Sequence, residues 1–62
     1  MTYTADYTLT VAGKWFATVR ADDTPDTTIE TREHDTFESA VDEAFGLVGD
    51  EDSVELGDIR AQ

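Results

Sequence analysis

The chain has 62 residues, 15 aspartates and glutamates against 4 lysines and arginines, a formal net charge of −11 and no cysteine. That length holds one domain, residues 1–62, with a thin core and marginal stability, and without thiols neither a disulfide nor a thiolate metal site can support it. The charge repels DNA, RNA and anionic membranes, no apolar run approaches the ~20 residues of a membrane span and no basic, apolar leader opens the chain, so a cytoplasmic protein that binds neither nucleic acid nor membrane directly is expected.

Residues 2–11 alternate, with Tyr3, Ala5, Tyr7, Leu9 and Val11 on one side and Thr2, Thr4, Asp6, Thr8 and Thr10 on the other. This is the pattern of a half-buried strand. Ala12-Gly13-Lys14 reads as a turn, and residues 15–21 alternate again, Trp15, Ala17, Val19 and Ala21 against Phe16, Thr18 and Arg20. A three-residue loop pairs Val11 with Trp15, Leu9 with Ala17, Tyr7 with Val19 and Ala5 with Ala21. That register keeps the apolar residues on one face and sets Asp6 opposite Arg20. Glycine is second in this loop, although third is its usual place. Residues 22–26 form a loop around Pro25, and residues 27–33 read as a third strand with Thr27, Ile29 and Thr31 inward. Outward charges mark it as an edge strand.

The clearest signal spans residues 35–49. Phe37, Ala40, Val41, Ala44, Phe45 and Val48 recur at i, i+3, i+4, i+7, i+8 and i+11, one face of a helix. Asp35 is placed to cap its start, with Glu38 at capping-box spacing, and Gly49 is placed to end it. Glu38, Asp42 and Glu43 fall on the far side, toward water. Residues 53–60 read as a fourth strand with Val54 and Leu56 inward, and Gly57-Asp58 shifts the phase before Ile59, a bulge or the strand end. The expected fold is α+β, an antiparallel β-β-β-α-β order with one amphipathic helix packed on one face of a small sheet. Trp15, Tyr7, Leu9 and Val19 would lie under Phe37, Val41, Phe45 and Val48.

Two short stretches, Gly13-Lys14-Trp15-Phe16-Ala17-Thr18-Val19 and Asp35-Thr36-Phe37-Glu38-Ser39-Ala40, resemble the small HicB-type antitoxin domain, a partial RNase H-like β-β-β-α-β unit. The first matches that family's glycine turn and aromatic strand, the second its Asp-Thr-Leu-Glu-Glu-Ala helix start. The resemblance spans roughly residues 3–60. It departs at Pro25-Asp26-Thr27, where the family has Pro-Gly-Cys, and at His34, where it has glycine. No helix-turn-helix or ribbon-helix-helix segment follows. The resemblance implies an antitoxin-like role, the neutralisation of a small RNase.

No residues form a catalytic pattern. His34 beside Asp35 could serve as a base, but a nucleophile must lie within reach, and Ser39 and Ser53 are the only serines. Asp22, Asp23 and Asp26, and likewise Asp50, Glu51 and Asp52, cluster without the spacing of a calcium loop. Hence no enzyme, cofactor or metal is expected. The candidate partner contacts are Phe16 on the wet sheet face, Glu38, Asp42 and Glu43 on the helix, and Asp50, Glu51 and Asp52 in the following loop. Spaced carboxylates can stand in for phosphates on a basic surface. The expected function is a non-enzymatic acidic inhibitor of a basic nucleic-acid-binding protein or nuclease, either antitoxin-like or a phage-encoded inhibitor of a restriction or CRISPR complex. The alternative is a haloadapted structural or assembly module whose acidity serves solubility: aspartate exceeds glutamate, arginine exceeds lysine, threonine is abundant and asparagine absent. A homodimer through a strand edge or the Phe16 face would be one way to gain core.

Overall fold

A computed structural model describes residues 2–49 and 52–62 and places β1 (Thr2–Leu9), β2 (Trp15–Ala21), β3 (Thr24–Glu30), α1 (Phe37–Val48) and β4 (Ser53–Ala61) in that order. The strands form one sheet in the order β3-β2-β1-β4, with α1 on one face, the α+β arrangement expected. The sheet is mixed rather than wholly antiparallel. β1–β2 and β2–β3 are antiparallel, whereas β1 and β4 are parallel. Two reversals leave β3 running in the direction of β1. The 12 residues of α1 then carry the chain back by about 18 Å at 1.5 Å per residue. β4 therefore starts where β1 starts and joins its free edge in parallel, which requires such a crossover.

The β1–β2 register differs by two residues from the expected one: Leu9 opposes Trp15, Tyr7 Ala17, Ala5 Val19 and Tyr3 Ala21. The loop is Val11-Ala12-Gly13, closed by Thr10 N–H to Lys14 O at 2.7 Å and Gly13 N–H to Thr10 O at 2.9 Å. Gly13 has φ +82° and now holds the third loop position, where positive φ is needed. Val11 is left at the tip, 92% exposed. A two-residue shift preserves parity, so the apolar face survives. Asp6 now opposes Thr18, and Arg20 reaches its carboxylate diagonally.

β3 begins three residues earlier than its threonine pattern indicates, directly after the Asp22-Asp23 turn. An edge strand leaves its outer N–H groups unpaired and so accommodates Pro25. Beyond Glu30 the ladder continues irregularly. Thr31 donates its N–H to Ala17 O at 2.8 Å, and its buried hydroxyl accepts from Ala17 N–H at 2.9 Å. Trp15 and His34 then exchange two backbone bonds of 2.7 Å. Arg32 and Glu33 thus stand together opposite Phe16, and the Thr31 hydroxyl replaces the carbonyl that this bulge removes.

Thr36, not Asp35, caps α1: its hydroxyl accepts from Ser39 N–H at 3.2 Å. Asp35 instead pairs with Lys14 from the hairpin. The helix ends at Gly49 as expected, with φ +90° and ψ 167°. That region is open essentially to glycine alone, but it is not the left-handed helical one. Ala40 and Ala44 are completely buried with Ala5, Ala17, Tyr7 and Val19, and Phe37 packs edge-on to Trp15 at 5.2 Å and tilted to Tyr7 at 4.9 Å. Small side chains let the helix sit close, mainly over β2. The buried stripe is Phe37-Ala40-Ala44-Val48. Phe45, expected in the core, lies 100° around the helix from Ala44 and is 51% exposed.

Candidate binding surface

α1 lies over the middle of the sheet, mainly β2 and β1 and touching β4, and covers the β4 margin only in part. An apolar groove of about 330 Å³ opens there. Phe37, Val41 and Phe45 form its helix side, Val54, Leu56 and Ile59 its strand side, and Tyr7 lies between them. Phe45, Leu56 and Ile59 expose half or more of their surface, at 51%, 66% and 52%.

Ile59 reaches the groove through a local irregularity. β4 pairs regularly with β1 up to Ala5↔Leu56, gains a residue opposite Asp6, and resumes at Tyr7↔Ile59. The added residue reverses the phase, so Ile59 shares the face of Leu56. Of the two expectations at Gly57-Asp58, a bulge or the strand end, the bulge is therefore the one present. Asp6 holds it: its carboxylate accepts from Asp58 N–H at 2.8 Å and binds Arg20. A Cβ on Gly57 would collide with the Asp6 carboxylate and stand 2.9 Å from Ala5 O and Thr4 Cγ2. Burial pushes the Asp6 carboxyl up, but the Asp58 amide and the Arg20 guanidinium outweigh it and hold the group below the ordinary aspartate range.

The helix side of the groove is bordered by acid. Glu38 and Asp42 are exposed, one turn apart on the Phe45 side of α1; Glu55 stands between Val54 and Leu56 in β4, so its side chain alternates to the other face of the sheet. Among the described residues no lysine or arginine pairs with these three. Each basic side chain is engaged elsewhere: Lys14 with Asp35, Arg20 with Asp6, Arg32 with Glu43 at 3.9 Å and Arg60 with Asp58 at 3.2 Å.

The other expected contact residues do not join this surface. Phe16 opposes Thr8 on the sheet face away from α1 and is part-buried. Glu43 occupies the opposite flank of α1 and faces the segment after β3, at Arg32 and His34, instead of open water. It binds His34 Nε2 at 2.6 Å and accepts from Arg32 N–H at 3.3 Å; the His34 bond chiefly, opposed by burial and helped by the Arg32 amide and charge, holds its carboxyl below the ordinary range. Asp52 is part-buried, and Asp50 and Glu51 lie outside the described residues. His34 is half-enclosed between Trp15 and Glu43 and ties β2 to α1. Among the described residues no three histidine, cysteine, aspartate or glutamate side chains are grouped to hold a metal. The groove itself was not anticipated. Its two sequence signals were Phe45 at the margin of the helical stripe and the phase change that re-aims Ile59.

No protein-family model matches the chain, nor does any curated protein or solved structure match it significantly.

Proposed function

We propose that this protein is a non-enzymatic acidic inhibitor that occupies the basic, nucleic-acid-handling surface of a partner protein. The observation that carries this reading is the distribution of charge. All four basic side chains are already paired with acids of the same chain, so the formal −11 is presented outward, and Glu38 and Asp42 stand exposed on the Phe45 side of α1. Carboxylates spaced along a helix can take the lysines and arginines that otherwise grip phosphates. The resemblance of the glycine-turn and helix-start segments to HicB-type antitoxin domains favours a nuclease as the partner. A phage-encoded inhibitor of a restriction or CRISPR complex has the same chemistry.

The test is co-purification of the tagged chain from its own host, followed by competition. The captured protein should be basic, should release as salt rises, and should lose its hold on DNA or RNA when this chain is added. Reversing Glu38 and Asp42 to lysine should slow association while leaving the melting temperature nearly unchanged, because exposed helix charges contribute only a few tenths of a kcal/mol. A partner that holds nucleic acid and this chain at once would refute the mechanism. The composition also favours a second reading, a haloadapted module whose acid serves solubility, which the salt experiment in the Discussion separates.

A further inference from the structure

We propose that the outer edge of β4 pairs with the same edge of a second copy, antiparallel and in one register. The inference goes beyond the inhibitor reading and stands apart from it. The two edges of the sheet are unlike. β3 contains Pro25 and the exposed charges Asp26 and Glu30, devices that discourage a further strand. β4 runs for nine residues without proline, and among the described residues no strand lies beyond it. Its inner contacts fix which of its backbone groups face outward. Asp58 gives its N–H to the Asp6 carboxylate and Gln62 to Leu9 O, both on β1. Side-chain face and hydrogen-bonding edge alternate together along a strand, so Ile59 and Ala61 turn their N–H and C=O groups to the outer edge. The extra residue opposite Asp6 reverses the phase, and Leu56 and Val54, on the same face as Ile59, therefore address the outer edge as well. Facing residues of an antiparallel pair exchange both their bonds. Only one two-fold register matches all four outward residues, with Leu56 opposite Ile59 of the second copy and Val54 opposite its Ala61. The bulge leaves the spacing regular, because residues 56–59 span the same length of ladder as Ala5 to Tyr7. The same register sets Glu55 opposite Arg60 of the second copy, twice about the axis, on the sheet face away from α1. Among the described residues Glu55 has no basic partner of its own, and Arg60 holds Asp58 in an exposed pair of little energetic weight. On the helix face the half-exposed Leu56 and Ile59 cover one another across the axis. Net charge opposes the association, since each copy carries −11. The dimer therefore strengthens as salt screens that repulsion, the reverse of attachment to a basic partner through Glu38 and Asp42.

The chain has no cysteine, so cross-linking reads the register without background. Glu55→Cys and Arg60→Cys chains, mixed in equal amounts at high salt under mild oxidation, should form a mixed disulfide dimer. Either variant alone should cross-link about tenfold more slowly, because facing positions lie within disulfide reach and a residue and its own copy do not. Sedimentation of the unaltered chain should show a monomer–dimer equilibrium that moves toward dimer between about 0.1 and 0.5 M KCl. Glu55→Arg or Arg60→Glu alone should weaken dimerisation by about threefold to tenfold, and both exchanges in one chain should restore it. Both side chains are exposed, so the fold is expected to persist. Should a variant unfold, the unaltered chain still decides, since amide exchange at Leu56 and Ile59 should slow as its concentration rises. A chain that stays monomeric at about 1 mM in about 0.5 M KCl overturns the inference. So does a dimer whose cross-linking is no faster in the mixture, or one that Phe16→Asp dissociates, which gives the association to the other sheet face.

Discussion

Asp6 does more for the groove than any residue that lines it. Its carboxylate joins Arg20 on β2 to the Asp58 amide on β4, and the bulge it holds is what turns Ile59 to the helix side. Asp6→Asn keeps an acceptor for Asp58 but loses the charge-assisted bond to Arg20, and should cost about 1–3 kcal/mol at neutral pH. The folded-state pKa of Asp6 lies below its unfolded value, so this stabilisation is complete above about pH 4 and is lost as pH falls through the folded value. Thermal melts of the parent and Asp6→Asn proteins should therefore converge below about pH 4. In the core, Ala44 is completely buried against the sheet, and Ala44→Leu should destabilise by about 1–3 kcal/mol through overpacking. Denaturant titration of that variant beside Phe45→Ala, which removes a half-exposed ring, should show the larger loss at the alanine.

At the level of elements, the strand faces and the helix were legible because each has its own period, two against 3.6. The hairpin register was legible only to within two residues, since a shift of two returns every side chain to the same face. The position of Gly13 distinguished the two registers, and it favoured the one that leaves Val11 in solvent. The direction of β4 was not legible, because alternation is identical for parallel and antiparallel pairing. Asp35 and Thr36 were equally eligible caps. The choice was made by Lys14, which reaches Asp35 from 21 residues away and leaves the N-terminal amides to Thr36. Thr36→Ala should accordingly cost about 1 kcal/mol, whereas Asp35→Ala should leave the melting temperature almost unchanged; circular dichroism melts of the pair measure the contrast. Glu43 was read as a solvent-facing acid because the bulge that brings His34 beneath it depends on the Thr31 hydroxyl, a contact no periodicity encodes.

The molecule as a whole sets a core of alanines, one valine and one tyrosine against a charge of −11. Self-repulsion of that size is screened over about 8–10 Å at ordinary ionic strength, so the melting temperature should rise as salt is added. If salt adaptation is the origin of the acidity, folding should be poor in dilute buffer and restored by ~2 M KCl. A melting temperature that does not change across that range would leave partner recognition as the reason for the charge. The two origins diverge again in binding, where recognition through Glu38 and Asp42 weakens with the same salt that steadies the fold.

The topology has a kinetic consequence. β1 lies between a neighbour a few residues downstream and one at the far end of the chain, for Thr2 pairs with Ser53. Closing a contact of that span is slow relative to forming the β1–β2 hairpin, so β4 is the element expected to dock last and detach first. Leu56 and Ile59 leave with it, and the groove then ceases to exist although the hairpin and α1 remain. An occupant of the groove would bind only the closed sheet and hold it shut by mass action. Amide exchange along β4 should slow in its presence while exchange in the β2–β3 pair changes little.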